Sequence, residues 1–486
     1  MSTPITEGKL AVVNIGVDTF MASLVAGGAP AISLDWRPAG DGDPVLGWQL
    51  AQMMGDDTDP QAIGTRIDRA NDEAVARMLA ARPMLVDVAL HAREVWPELW
   101  ANGRKLLTHA GAPVPWAKMC SPMQGTMIGA VLYEGWAKTP EAARELLAAG
   151  GVEFVQTHDI NAVSPMSGAI SPSQPVFIVK NSDRGNMAYS NFSEGIGKVL
   201  RFGAYGDEVI KRLKWMEDTL APALKAAVGE VKDGIDLKSL QAQALMMGDE
   251  VHSRNAAATA LFHMAIAAPL ASSTFDRAKA AEVLAFIANT SQFFLNLSMV
   301  ASKCIMDSAH GVENSSIVTA IARNGVTTAI RVSGLGRQWF EAPSDTPVGL
   351  FFPGFRQEDA NADLGDSAIC ETAGYGGQSL AASPALVQLV GGSVAQAVAY
   401  SREMYNVTWA RNPGLSLPNL EFAGAPAGLE IRKIVDTGIR PVITTGIAHR
   451  EAGVGQIGAG IVRAPMACFT QALKALAEKL NIPAGA

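Results

Sequence analysis

From Phe202 through Gly311 the apolar residues keep a helical period, and no other feature of the sequence constrains the fold as strongly. The stretch resolves into five segments, 206–228, 237–247, 253–270, 276–290 and 291–309. So long a helical run divides the chain into a first part over 1–200, a helical middle over 201–312 and a last part over 313–486. The first part alternates. An apolar run at 10–15 is followed by Gly16, an amphipathic segment to Gly27 and a second apolar run at 31–34 ending on Asp35. A helix near 68–81, a strand at 84–90, a helical segment after Pro140 and a strand at 152–157 continue the pattern. Strands and helices in this order predict a parallel, Rossmann-like sheet. Beyond the helices, strands are expected at 317–323 and 326–332, then short strands, Gly-rich loops and Ala-rich helices to a final helix at 465–480. The expected fold class is multidomain α/β: a Rossmann-like N-terminal domain, a helical middle domain and an α+β C-terminal domain.

Composition narrows the function. With 48% hydrophobic and 18% charged residues, the chain reads as a compact enzyme and not as a disordered polymer. A formal net charge of -8 and the lack of any Lys/Arg-rich run argue against a nucleic-acid partner. Cys120, Cys304, Cys370 and Cys468 are scattered without CxxC spacing, so neither a zinc cluster nor a disulfide framework is expected. MSTPITEGKLAVVNIG lacks the basic and apolar regions of a signal peptide, which places the protein in the cytoplasm. The most apolar helical stretch, 256–271, is interrupted by His263 and Pro269 and falls short of the ~20 residues of a membrane span. Only Gly16, in NIGVDTF, stands where a dinucleotide fingerprint needs three glycines. No HExxH, GxSxG or SxxK occurs, so no metal, no cofactor and no serine nucleophile is expected.

Four constellations carry candidate chemistry. MGDEVHSRNAA, 247–257, crowds Asp249, Glu250, His252, Arg254 and Asn255 between two apolar helical runs. On a helix, Glu250 and Arg254 form an i,i+4 pair worth ~0.3–0.5 kcal/mol, and Asp249 lies near His252, where a carboxylate fixes an imidazole tautomer. In a break between helices, Asp249 or Ser253 is a cap. In 291–311, Asn296, Lys303, Asp307 and His310 form one polar stripe on an otherwise apolar helix, read either as a cleft lining or as a buried Lys303–Asp307 pair. In ARNGVTTAIRV, Asn324-Gly325 predicts a two-residue hairpin turn that sets Arg323 across from Val326 and points Arg331 to the opposite face. Arg323 is the pocket candidate; Asn324 is a turn residue or a ligand-binding one. In 443–460, Thr444, Thr445 and His449 precede glycines at 453, 455, 458 and 460 whose N–H groups are free to cradle an anion or simply to turn a tight loop. His91, His109 and His263 read as surface or core residues.

These blocks, together with NIGVDTF, LDWRPAGDGD, SPMQGTMIGAVLYEGWA, AVSPMSGAISPSQPVFIV, EGIGKVLRFGAYGDEVIKRLKWM, FFLNLSMVASK and GDSAICETAGYGG, resemble the YlbE/YahG-like family along nearly the whole chain. One branch of that family is the large subunit of oxamate carbamoyltransferase. The resemblance implies a Rossmann-like domain, a helical domain and an α+β domain. It also implies a heteromeric, oligomeric complex with two further subunits, one resembling an acyl-CoA ligase subunit. The implied reaction converts oxalurate and phosphate to oxamate and carbamoyl phosphate, or the reverse, in ureide and purine nitrogen catabolism. Such chemistry needs cationic grips, oxyanion donors and an acid/base at nitrogen. On that basis Asp249 and one or more of His252, His310 and His449 are expected to be catalytic. Arg254, Asn255, Asn296, Lys303, Arg323, Asn324, Thr444, Thr445, Gly455 and Gly458 are expected to bind substrate. The alternatives are a non-catalytic scaffold subunit or a transferase for another ureide or amide.

Overall fold

The structure, a computed structural model, describes residues 12–15, 18–34, 38–55 and 58–485. Gly16 and Asp35, on which the dinucleotide reading turned, lie outside these residues.

The helix Ile63–Ala80 shows how local pattern becomes packing. Ile67, Ala70, Asn71, Ala74, Val75 and Met78 are its inner face, spaced so that one stripe meets the core. It leads into the strand Pro83–Ala89, which runs antiparallel to Val176–Asn181 and to Ile235–Asp236. Met187–Asn191 pairs antiparallel with 176–181, and Ala162–Val163 adds a parallel edge, completing five strands. Other parallel pairing is confined to two separate two-stranded sheets, Val12–Ile15 with Ala31–Leu34 and Leu106–His109 with Glu153–Gln156. Among the described residues a single parallel Rossmann-like sheet is therefore not formed. The reason is connection length: the short link 182–186 closes an antiparallel hairpin beside 83–89, whereas parallel strands need a crossover such as the helices Ser121–Tyr133 and Pro140–Ala148.

The helical stretch folds mostly as helices, interrupted by the two-residue strand Ile235–Asp236 and the turn 247–255, with a π-helical turn at Met216–Leu220. Its last member, Leu295–Ala309, is buried at every position except Asp307. That helix lies against 63–80 and the strands 176–181 and 187–191, at the heart of the largest apolar cluster. Among the described residues no helix is long and apolar enough to cross a membrane.

In the last part, Phe340–Pro343, Thr327–Val332, Val318–Asn324 and Leu364–Gly365 form an antiparallel sheet in that order. The hairpin register pairs Arg323 with Thr328, not with Val326. Asn324 Oδ1 accepts the N–H groups of both Val326 and Thr327, at 3.0 and 2.7 Å, and this side-chain turn lengthens the loop to 324–327. The segment expected to be a Gly-rich loop is mostly sheet: Val442–Ala448 and Gln456–Arg463 pair antiparallel, and Val348–Phe351 lies outside the second strand. Gly458 and Gly460 sit in that ladder. A Cβ on Gly458 would stand 2.3 Å from Leu350 O, so close strand approach, not anion binding, accounts for the residue.

Candidate active site

The 249–255 cluster is a break between the helices Leu237–Met246 and Ala256–Ser272. Its carboxylates organise the backbone. Glu250 accepts the N–H of His252 at 2.8 Å and of Arg254 at 2.6 Å, and Asp249 Oδ2 accepts the N–H of Ala258 at 2.9 Å in the first turn of the next helix. Val251, buried and β-branched, holds φ +65, a conformation that costs energy unless neighbours enforce it. Ser298 Oγ donates to Val251 O at 2.6 Å and Asn255 Nδ2 to His252 O at 2.6 Å, and these bonds fix the strained turn.

The turn presents His252 to Glu371. The ring Nδ1 lies 2.8 Å from Glu371 Oε1, with both side chains buried. The same oxygen accepts the N–H groups of Gly377 and Thr444, each at 3.1 Å, and Thr444 Oγ1 lies 3.4 Å from His252 Nδ1. A carboxylate held by two backbone donors is a fixed acceptor that sets the imidazole tautomer, leaving Nε2 for chemistry. Glycine is required at 377, where a Cβ would stand 1.9 Å from Val442 O, because the chain carrying Glu371 presses directly on the 442–448 strand. Burial, with Glu371 nearby, pushes the Glu250 carboxyl well above the usual range, and burial raises Asp249 as well.

His252 lines a cavity of about 160 Å³. Its other polar walls are Arg201, Ser253, Ser291, Gln292, Ser367 and Gln456. Arg201 is buried; burial lowers its guanidinium to about 10, so it stays cationic at neutral pH. Its Nε donates to Gly195 O at 3.0 Å, and among the described residues Nη1 has no hydrogen-bond partner. The volume lies below the ~300–1,000 Å³ of pockets for drug-sized ligands, which suits an anion of a few heavy atoms.

Behind Ser367, Arg323 is wholly buried. Its Nε donates to Asp363 Oδ2 at 2.8 Å and its Nη1 to Gly365 O at 2.7 Å, while Thr445 Oγ1 donates to Asp363 Oδ1 at 2.8 Å. These donors are spent on protein, so Arg323 and Thr445 brace the wall and do not grip a ligand. Lys303 and His310 collect elsewhere, around His158 and Arg331. Asn296 Nδ2 donates to Asn191 O at 2.7 Å, tying the buried helix to its sheet. Asn324 is the turn residue described above. Asp249 caps and does not partner His252; its Oδ1 is 3.2 Å from the half-exposed Arg254. His449 Nδ1 accepts the N–H of Glu451 at 3.0 Å in the 449–455 turn, and Gly455, at φ +105, abuts Gly197 O. The sequence reading brings His252 and Thr444 to this site and misses Arg201, Ser367 and Glu371.

Fold and site together define a mixed α/β protein with a buried imidazole–carboxylate pair at a small cavity that also holds a guanidinium. Residues 152–367 match the family model described as oxamate carbamoyltransferase subunit AllG. The chain is 50% identical over 419 residues to the oxamate carbamoyltransferase subunit AllG of Escherichia coli (strain K12), a match covering 86% of this chain and 99% of that one. It is 40% identical over 482 residues to the uncharacterized protein YahG of the same strain, covering 99% and 100%. A crystal structure of a conserved protein of unknown function from Enterococcus faecalis V583 matches with a TM-score of 0.81 at 42% identity, covering 85% of this chain and 98% of that one. The chain belongs to the AllG family of oxamate carbamoyltransferase subunits. The matched span includes Arg201, His252 and Ser367; Glu371 and Thr444 lie beyond it.

Proposed function

We propose that this chain is the subunit of a carbamoyltransferase that binds oxamate and oxalurate in the His252 cavity and performs the proton transfer there. The observation that carries this reading is the buried His252–Glu371 pair on the wall of a small cavity shared with Arg201. In the phosphorolytic direction a phosphate oxygen attacks the carbamoyl carbon of oxalurate and the bond from that carbon to the oxamate nitrogen breaks. The imidazole takes the proton shed by the attacking hydrogen phosphate and gives it from His252 Nε2 to the leaving nitrogen, yielding oxamate and carbamoyl phosphate. In the reverse direction the neutral imidazole takes that proton as oxamate attacks carbamoyl phosphate. Glu371 orients the ring and stabilises the imidazolium. Arg201, cationic and desolvated, is the grip for the oxamate carboxylate. The relative's name, a subunit, supports action within a complex, and we assign partners of the acyl-CoA-ligase type to it.

Two arms test the reading. The isolated chain is titrated with oxamate, and the complex reconstituted with its partner subunits is assayed for carbamoyl phosphate formation from oxalurate. Arg201→Met is expected to weaken oxamate binding by about tenfold or more. Unchanged binding and turnover in R201M contradict the assignment.

A further inference from the structure

The C-terminal end of the polar stripe on the 295–309 helix, Lys303, Asp307 and His310, belongs to a second cluster of buried polar groups. Lys303 Nζ donates to Asp307 Oδ1 at 2.6 Å. Arg331 Nη2 reaches Asp159 Oδ1 at 2.5 Å, and its guanidinium lies over the Trp339 ring, 4.1 Å from the centroid. The His158 ring meets the same indole edge-on at 5.3 Å, and the charges of Lys303, Arg331 and His310 all act on His158. His310 Nδ1 pairs with Thr319 Oγ1 at 2.8 Å and closes one side.

The two ion pairs leave this cluster unsatisfied. His158 is fully buried, yet neither ring nitrogen has a hydrogen bond; Asp366 Oδ1 lies 3.5 Å from Nε2. Arg331 Nε, Trp339 Nε1 and Asp307 Oδ2 are also buried without a partner. Buried polar groups in proteins are as a rule paired. This molecule has other buried orphans, among them both amide atoms of Gln378, but five fall together here, on His158, Arg331, Trp339 and Asp307, and that concentration marks a missing polar guest. The chemistry of the orphans specifies it. Arg331 Nε and Trp339 Nε1 are donors only, one His158 nitrogen carries a proton, and Lys303 has two N–H groups beyond the one given to Asp307. Against these stand Asp307 Oδ2 and the second His158 nitrogen as acceptors.

We propose that the His158–Lys303–Arg331–Trp339 cluster is a second anion site that binds a small carboxylate or phosphate bearing an N–H or O–H donor. The anionic oxygens meet Lys303, Arg331 and Trp339, and the guest's own donor meets Asp307. The inference does not rest on the reading of the His252 cavity: its residues are a different set, and the two sites meet only at neighbouring positions of one segment, where Asp366 approaches His158 and Ser367 lines that cavity.

The test is isothermal titration calorimetry of the full chain with sodium oxamate, which carries both a carboxylate and an amide N–H, and separately with inorganic phosphate. Wild type is compared with Trp339→Phe, Lys303→Met, His252→Asn and Arg201→Met. For at least one anion, W339F and K303M are each expected to raise Kd by about tenfold or more, the loss of a hydrogen bond to a charged group, while H252N leaves that isotherm in place. Trp339→Phe removes one N–H and keeps the ring, so it guards against a folding artefact in K303M. Equal affinity in wild type, W339F and K303M, or no binding of either anion, overturns the proposal and leaves the cluster holding water. Loss in R201M alone also overturns it, placing the anion in the other cavity. If H252N abolishes turnover but not the W339F-sensitive isotherm, both sites stand; if H252N retains turnover and that isotherm persists, only the reading of the His252 cavity fails.

Discussion

Asp249 and Glu371 are both buried carboxylates near His252, and geometry gives them different work. Asp249 points along the chain to the first turn of the 256–272 helix, whereas Glu371 arrives from 119 residues away to hold the imidazole. Asp249→Ala is therefore expected to lower stability by about 1 kcal/mol, the usual cost of a lost cap, with turnover per folded molecule unchanged. Glu371→Gln is expected to act on turnover instead, lowering kcat by up to roughly 10⁴-fold, the loss found when a catalytic imidazole loses the carboxylate that orients it. Thermal midpoints and carbamoyl phosphate formation, measured on both variants, separate the two roles; a large loss of turnover in D249A would reverse the assignment. The sequence showed that the 249–255 cluster was unusual and offered a cap as one of its meanings. It gave no sign of Glu371, because a contact across 119 residues leaves no periodicity or spacing to read. Arg201 escaped for a related reason: within KVLRFGAYG it looks like one more basic residue, and only burial beside Glu194 and Phe202 separates it from a surface arginine.

Secondary elements were the most legible level. The strand at 31–34 and the helix at 466–479 lie where hydrophobic period and turn residues put them, since both signals are local. The helix expected near 68–81 begins five residues earlier, at Ile63, because helix ends are the least marked. Register was less legible. The Asn-Gly pair at 324–325 is a strong hairpin signal, but Asn324 spends its side chain on two backbone N–H groups and lengthens the loop, a choice that composition does not specify. The glycines of 446–460 were ambiguous because the need for close strand approach and the need for free N–H groups select the same residue. The two are separable by experiment. Gly458→Ala forces a methyl against Leu350 O and is expected to cost about 1–3 kcal/mol, as overpacking does, with little change in the affinity of the folded fraction for phosphate. Chemical denaturation and phosphate titration check both halves. A fully stable G458A with weakened phosphate binding would restore the anion-loop reading.

At the scale of the whole molecule, segments distant in sequence converge on the 363–371 stretch, where Asp363 holds Arg323, Asp366 faces His158, Ser367 lines the cavity and Glu371 holds His252. The sheets around it were not legible as one arrangement, because strand order depends on which connections close as hairpins and which as crossovers. Asp366 gives this convergence a pH signature. Burial raises its carboxyl from 3.8 to about 6, against the pull of donors from Thr157, Gly111 and Ser164. With the folded value above the unfolded one, the native state holds the proton more tightly. The stabilisation is thus complete below about pH 4 and is lost as pH rises through about 6. The thermal midpoint of wild type minus that of Asp366→Asn is expected to shrink over that interval; a difference that grows with pH would show that the ionised form is the favoured one.

The central claim is that His252, held by Glu371, moves the proton at the scissile nitrogen. Its most direct measurement is the single-turnover rate of carbamoyl phosphate formation from oxalurate and phosphate by the reconstituted complex carrying His252→Asn. Alongside it, complex assembly and oxamate affinity are monitored. The expected result is a rate lower by roughly 10²- to 10⁴-fold, the contribution of general acid–base catalysis, with assembly and affinity near wild type. A wild-type rate in a fully assembled H252N complex would contradict the claim and move the proton transfer to another residue or another subunit.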